Sequence, residues 1–261
     1  MNVVIEAVSD VGTKKTVNQD AAAAAVSRSA IGRTAFAIVC DGVGSCSKSE
    51  MASSFSVNKF INWFREDYKQ IADILDEEEF CSGLYEHWYN MLYSINAQLY
   101  SYYEKNGSKL GTTLSSILIR DGKYYIIHIG DTRIYKLDRG IHQLTTDHTV
   151  AQREIEEGIS TYEKMKKDRK RHILTRCLGT QERVKPDFYF GDTCGEEKYL
   201  LCSDGFRDRI SEEGIYEGFF KNKFVKRRKL FKAASSIAEK VKRIGEKDNI
   251  TAVIIEISEE R

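Results

Sequence analysis

Proline occurs only once in this sequence, at Pro186, which excludes proline-rich linkers and polyproline recognition segments. The six cysteines, Cys40, Cys46, Cys81, Cys177, Cys194 and Cys202, never form a C-x-x-C pair, so the common thiolate zinc and dithiol motifs are absent. No apolar run approaches the roughly 18 residues that a membrane-spanning helix needs. The opening residues MNVVIEAVSD carry neither a basic leader nor a long apolar region, so no secretory signal is expected. An excess of charge of one sign is missing too. Charged residues make up 30% of the chain, yet the net charge is +1, and no global field points to nucleic acid or a membrane. With no repeat, low-complexity segment or linker, the 261 residues are expected to form one domain, residues 1–261, in a cytoplasmic monomer with reduced thiols.

What is present is a recurring device. Residues 34–40 (TAFAIVC) are nearly all apolar or β-branched and read as a buried strand. Asp41 follows at once, and Gly42 and Gly44 free the backbone to turn. A carboxylate at the end of a buried strand is costly unless a cation or a hydrogen-bond donor receives it. The device returns in KYLLCSDG, where residues 199–202 deliver Asp204 and Gly205. It returns again in Lys247-Asp248-Asn249, just ahead of an apolar strand over 250–257. Asp41, Asp204 and Asp248 are therefore expected to converge, joined by Asp20 from the polar stretch SDVGTKKTVNQD.

The rest of the chain supplies the frame. A first strand is expected over 2–8, while residues 21–26 (AAAAAV) are ambiguous between helix and strand. A helix should begin near Ser47, whose spacing to Glu50 is that of a capping box, with Met51, Phe55, Phe60, Ile61 and Phe64 near helical spacing. A longer helix over about 80–103 carries the stripe Phe80, Leu84, Trp88, Met91, Leu92, Ile95, Leu99 and Tyr102. That stripe reads as core packing rather than a ligand box or coiled-coil seam, because it lasts only about three heptads. From Gly111 the period becomes two. Strands over 112–119, 124–129 and 133–137 read as an antiparallel meander, with Asp121-Gly122 as a two-residue hairpin turn and Gly130-Asp131 as an interruption. A parallel βαβ sheet is disfavoured. A short helix is expected over 149–158, strands over 188–190 and 199–202, and an amphipathic helix over 229–244. The basic run KMKKDRKR, residues 164–171, reads first as solvated surface and second as an attractor of acidic or phosphorylated protein. Nucleic-acid binding ranks third, because aromatic residues do not interleave with the charges.

Carboxylates about 4 Å apart repel by about 4 kcal/mol at an effective dielectric near 20. If these aspartates meet, either their pKa values rise or cations sit among them. Oxygen ligands without histidine select hard ions, Mg²⁺ or Mn²⁺, over zinc. The Gly42 carbonyl can serve where a side chain would crowd the ion. Two such ions can activate a water and clamp a phosphoryl oxygen, and Lys15 can hold the remaining phosphate charge. For any single Asp-Gly the plainer reading, a strand-end cap or salt-bridge partner, is better. For the set, with its order and strand context, it is not.

The order of the pieces SDVGTKKTVNQD, AIVCDGVG, LGTTLSSILI, IHIGDTRIYKL, QLTTDH, ILTRCLG, LLCSDGFRD and KDNITAVII resembles that of the metal-dependent protein phosphatases, the type 2C serine/threonine family, in its bacterial form. The resemblance implies an α+β fold: a four-layer α-β-β-α sandwich of two antiparallel sheets flanked by helix pairs, with a short flap over about 149–172. It also implies that Asp41 bridges two Mn²⁺ or Mg²⁺ ions, that the Gly42 carbonyl binds one, and that Asp204 and Asp248 hold the other. Asp20 would act mainly through metal-bound water, and Asp131 would support a weaker third ion. Gln19 and Asn249 would stand one shell further out. The implied activity is hydrolysis of phosphoserine or phosphothreonine in proteins, substrates of a serine/threonine kinase, by water activated between the two ions. Lys15 would bind the substrate phosphate.

Three positions depart from the family pattern. Lys15 stands where an arginine is usual, which keeps the charge but loses bidentate geometry. Gln19 replaces a frequent glutamate, and Val43 replaces the histidine that many eukaryotic members carry as proton donor, leaving metal-bound water as the candidate acid. His148 is expected to make local hydrogen bonds. Cys40 and Cys202, by strand alternation, should point away from the neighbouring carboxylates, whereas Cys46 could be oxidised. Two other classes stay open. One is a catalytically impaired relative that binds phosphoproteins, which metal titration would separate. The other is a phosphatase of small bacterial stress-switch proteins, whose chains often carry sensor domains.

Overall fold

The structure, a computed structural model, describes residues 1–165, 168–220 and 227–259, without the side chains of Arg169 and of Arg227, Arg228 and Lys229. Lys166 and Lys167 of the basic run lie outside the described residues. In chain order the elements are β1 (Asn2–Asp10), β2 (Ala21–Ser29), β3 (Gly32–Cys40), α1 (Ser49–Glu66), α2 (Glu77–Asn106), β4 (Leu114–Arg120) and β5 (Lys123–Ile129). Then come β6 (Arg133–Leu137), β7 (Ile141–Gln143), α3 (Val150–Glu156), α4 (Tyr162–Met165), β8 (Asp187–Asp192) and β9 (Glu197–Cys202). The chain closes with α5 (Asp204–Arg207), α6 (Glu212–Phe220), α7 (Arg227–Arg243) and β10 (Ile250–Ser258). The strands form two five-stranded sheets, β1-β10-β9-β6-β7 and β2-β3-β4-β5-β8, with antiparallel pairing throughout.

Period-two alternation builds the layers. In β3, Ala35, Ala37 and Val39 face the other sheet and meet Leu201, Val253 and Ile255. The alternate residues Phe36, Ile38 and Cys40 meet Phe60, Phe64 and Trp88 of α1 and α2. On the opposite side Leu200, Cys202 and Ile254 pack against Ile215, Phe219, Ala234, Ile237 and Val241 of α6 and α7. The result is the four-layer α-β-β-α sandwich, with both strand-borne cysteines buried in the outer cores as alternation requires.

Four local readings need correction or completion. Residues 21–26 are strand: Ala21, Ala23 and Ala25 pack on one core and Ala22 and Ala24 on the other, so tertiary pairing overrides alanine's helix preference. The stretch from 112 to 137 is not one meander. β4 and β5 pair with each other, but β6 crosses to the other sheet and pairs with β9. Gly130, at φ 110, makes that crossing, and a Cβ there would lie 2.5 Å from Thr113 Cβ. The Ser47–Glu50 capping box does not form. Helix α1 starts at Ser49 behind Lys48, whose φ of 54 is left-handed and whose side chain makes no cap. Cys46 N–H already closes a turn onto Val43 O at 2.8 Å, which leaves Ser47 outside the helix, and Met51 faces solvent. Elements β7, α4, α5 and α6 carry no expectation from sequence.

His128, fully buried in β5, stays neutral: burial and then the His148 ring lower its pKa to about 3. Its Nε2–H donates to Thr146 O at 3.0 Å, leaving Nδ1 to accept from Ser115 Oγ at 2.8 Å. In the unfolded chain the same imidazole protonates below about 6.5. Its contribution to stability is therefore present above that value and is lost as pH falls towards 3. Relative to His128→Gln, the wild type should lose about 2 kcal/mol more between pH 6.5 and 5. Parallel stability–pH slopes in chemical denaturation would contradict this.

Candidate metal centre

Strand register carries the predicted aspartates to one end of the sandwich. Ala21 pairs with Cys40, so Asp20 and Asp41 flank the same rung of one sheet. In the other sheet Cys202 faces Ala252 on one side and Arg133 on the other, which brings Asp204, Asp248 and Asp131 off the sheet at one end. Asp41, Gly42, Asp131, Asp204, Asp248 and Lys15 all line one cavity of about 380 Å³. Asp20 is not among the lining residues.

Contacts from distant parts of the chain fix the backbone at Asp41 and tie the loop that bears Asp20 to the start of β10. The Asp41 backbone is pinned by β4's approach: its N–H donates to Thr113 Oγ1 at 2.9 Å, and its carbonyl accepts from Thr112 Oγ1 at 2.9 Å and Thr113 N at 2.8 Å. Gly42 N–H donates to Gln19 O at 3.1 Å. A Cβ at Gly42 would stand 2.7 Å from that same oxygen, so this close approach excludes any side chain. Asn249 accepts from Gln19 N–H at 2.9 Å and donates to Val11 O and Val17 O at 2.9 and 3.1 Å, tying the 11–19 loop to β10. Gln19 accepts from Lys15 Nζ at 3.0 Å through Oε1 and donates to Ser49 Oγ. Lys15 Nζ also lies 2.9 Å from Asp248 Oδ1, and Asn249 N–H donates to Asp248 at 2.8 Å.

Electrostatics strain the cluster. Burial, and then the charges of Asp20, Asp204, Asp131 and Asp248, push the Asp41 carboxyl well up. Burial and then Asp204 raise Asp131 to about 7. Burial raises Asp20 to about 7 as well, against a hydrogen bond from Ser203 Oγ at 2.9 Å. Asp204 moves the other way, because a hydrogen bond from His172 and the Arg207 charge outweigh its burial. Asp20 Oδ1 is buried with no hydrogen-bond partner among the described residues. An oxygen-rich set that repels itself, with an orphaned carboxylate oxygen behind it, fits divalent cations: they neutralise what protons must otherwise neutralise.

Sequence reasoning missed several groups. Glu246, buried, accepts from Asp248 N–H at 2.9 Å and shapes the turn that presents Asp248. Arg171, His172, Asp208 and Arg209 also line the cavity. His148 stays apart, accepting from Gly130 N–H at 3.1 Å and donating from Nε2 to Asp187 at 3.0 Å. Burial raises the Cys46 thiol despite Lys109, so it is not an activated thiolate.

The protein phosphatase 2C family model matches residues 12–242. The chain belongs to that family. PstP, a serine/threonine protein phosphatase of Mycobacterium tuberculosis, is 33% identical over 149 residues, 57% of this chain but 28% of that protein. Protein phosphatase PhpP of Streptococcus pneumoniae is 27% identical over 268 residues, 98% of each chain. The crystal structure of the PstP catalytic domain in complex with two manganese ions matches with a TM-score of 0.75 at 25% identity, over 99% of this chain and 100% of that one. The matched region is thus a protein phosphatase 2C domain, and one of the structures it resembles was solved with two manganese ions.

Proposed function

We propose that the chain, residues 1–261, acts as one catalytic domain that hydrolyses phosphoserine and phosphothreonine in proteins in a single step, with residues 149–172 as the flap beside its site. The observation that carries this reading is the convergence of Asp41, Asp131, Asp204 and Asp248 on one cavity whose lining also holds Lys15. Asp41, the Gly42 carbonyl, Asp204 and Asp248 would hold two divalent ions, Mn²⁺ or Mg²⁺, with Asp20 behind them. When bound, the ions supply an activated water and neutralise charge on the phosphoryl group. The chain's own contribution is positional. Thr112 and Thr113 fix Asp41, Asn249 and Glu246 fix the two loops that bear Asp20 and Asp248, and Lys15 presents a cation to the phosphate.

The presence of every expected aspartate counts against an impaired phosphoprotein-binding module. Six free cysteines fit a reducing compartment, and among the described residues no helix is long and apolar enough to cross a membrane. The reading is of a cytoplasmic monomer that reverses the work of a serine/threonine kinase. Turnover of a phosphothreonine peptide and of p-nitrophenyl phosphate should require added Mn²⁺ or Mg²⁺ and vanish on chelation; turnover in full chelator would rule out the mechanism. Lys15→Ala should lower kcat/KM about 10- to 100-fold with metal affinity nearly unchanged by calorimetry. A loss of metal binding in that variant would assign Lys15 a different role.

A further inference from the structure

A second cavity, of about 640 Å³, adjoins the catalytic one. Arg171, His172, Asp208 and Arg209 line both. The two cavities therefore share a wall, and a polypeptide bound across the first reaches the second within a few residues. The metal centre uses little of what lines this second space. Tyr162 and Met165 of α4 belong to the 149–172 segment, while Ile210 and Ile215 belong to the stretch that runs from α5 into α6. Met165 and Ile215 are buried, and the Tyr162 ring is half exposed. Walls rich in carbon beside an open mouth suit the alkyl stem of a long side chain.

The charges on that lining are unevenly committed. Each arginine already faces a carboxylate: Arg133 Nη2 is 2.7 Å from Asp147, Arg207 Nη1 is 2.8 Å and Arg171 Nη2 3.1 Å from Asp208, and Arg209 Nε is 3.4 Å from Glu246. His172 leans on Asp204 and Asp208 at 3.2 and 3.3 Å. Two acids are left over. Glu212 lies 3.9 Å from Arg133, whose fork Asp147 already fills. Glu213, exposed at the same rim, has no hydrogen-bond or ion-pair partner among the described residues. The unmet charge is therefore negative, and it calls for a cation.

We propose that this second cavity receives a basic side chain, arginine or lysine, from the substrate polypeptide close to its phosphorylated residue, with Glu212 and Glu213 as the residues that select it. The proposal rests on the phosphatase reading above and adds to it a preference in substrate sequence. Methylenes of the incoming side chain pack on Met165 and Ile210, the Tyr162 ring offers a face to the cation, and the two glutamates meet its head. An acidic neighbour of the phosphoresidue meets two carboxylates instead, and arginines that are already engaged. Among the described basic residues of 164–171, only Arg171 lines the cavity, so the basic run does not cancel this preference there.

The test is a set of phosphothreonine peptides that carry arginine, alanine or glutamate at each flanking position in turn. Initial rates in Mn²⁺ give kcat/KM for the wild type, for Glu212→Gln with Glu213→Gln, and for Glu212→Lys with Glu213→Lys. At one flanking position, or two adjacent ones, arginine should raise the wild-type value about 3- to 10-fold over alanine, mainly through KM, and glutamate should lower it. The glutamine pair should bring the arginine-to-alanine ratio close to one, and the lysine pair should reverse the order so that glutamate is preferred. Ratios between peptides are the readout because both glutamates also sit in the first turn of α6, where lysine costs some helix stability. A gain on the glutamate peptide cannot come from misfolding. Wild-type ratios near one at every position, or an arginine preference that survives unchanged in both variants, would overturn the proposal while leaving the phosphatase reading intact. Failure of the metal-loaded wild type to turn over any peptide or p-nitrophenyl phosphate would overturn that reading, and the proposal with it.

Discussion

Asp41→Asn should lose at least about a thousandfold in kcat and yet melt at a higher temperature than the wild type in the presence of chelator. The first effect follows if Asp41 is the carboxylate shared between two ions, since charge stabilisation by bound metal is worth several kcal/mol at the transition state. The second follows from the metal-free balance. Burial and the surrounding carboxylates push the Asp41 carboxyl well up. An acid whose folded pKa lies above its unfolded value destabilises the fold at every pH above the unfolded pKa, so at neutral pH the charge opposes folding. Asparagine keeps the shape and removes that charge. Saturating Mn²⁺ should reverse the ranking, because ligand binding to the native state raises the melting temperature of the wild type only. Steady-state kinetics and calorimetric melting with and without Mn²⁺ read all of this. A variant that keeps activity, or melts lower than the wild type in chelator, would contradict the assignment of Asp41.

Asp147→Ala should destabilise the chain by about 3–5 kcal/mol at neutral pH and lower the melting temperature by roughly 10 °C. Asp147 accepts from Arg133 Nε and Nη2 at 2.8 and 2.7 Å, a bidentate pair, and lies 3.7 Å from Arg207 Nη2. The three side chains are between 8% and 11% exposed. Burial raises the Asp147 carboxyl, but Arg207 and Arg133 outweigh it and hold the group below its ordinary range. Its contribution is thus fully present above about pH 4 and fades only as pH falls through the folded pKa. Removing it strands the buried Arg133 guanidinium and takes one of two carboxylates from Arg207, which keeps Asp208 at 2.8 Å, supports the Asp131 carbonyl at 2.9 Å and has an Nε with no hydrogen-bond partner among the described residues. Differential scanning calorimetry measures the loss; a change below about 1 kcal/mol would mean that water already screens the pair.

The parts of the fold legible in the sequence are those with a strong local period. Strand β3 and helix α2 announce themselves because apolar residues recur at two and at three-to-four positions along them. The metal-site candidates were legible for a related reason: Asp41, Asp204 and Asp248 each break off an apolar run, and a carboxylate placed there needs an unusual partner. The alanines of β2 were ambiguous because alanine fits a helix, and only pairing with β3 and close approach of α1 decide the matter. The crossing of the chain between sheets at Gly130 left no trace beyond a Gly-Asp pair. The supporting groups were least visible. Ser203 reaches Asp20 across a separation of 183 residues, and Asn249 reaches Gln19 across 230. His172 directly follows a basic run, residues 164–171, whose pattern reads as solvated surface, and only the folded arrangement turns its ring towards Asp204. Long-range pairing of isolated polar residues carries no periodic signal, so no reading of spacing finds it.

The central claim is that side chains from distant parts of the chain build one pocket for divalent ions. Crystals grown in Mn²⁺ and measured at the manganese absorption edge test it most directly. The account predicts two anomalous peaks in the cavity, in contact with Asp41, the Gly42 carbonyl, Asp204 and Asp248. Density maps with those carboxylates well ordered and no anomalous peak among them would contradict it.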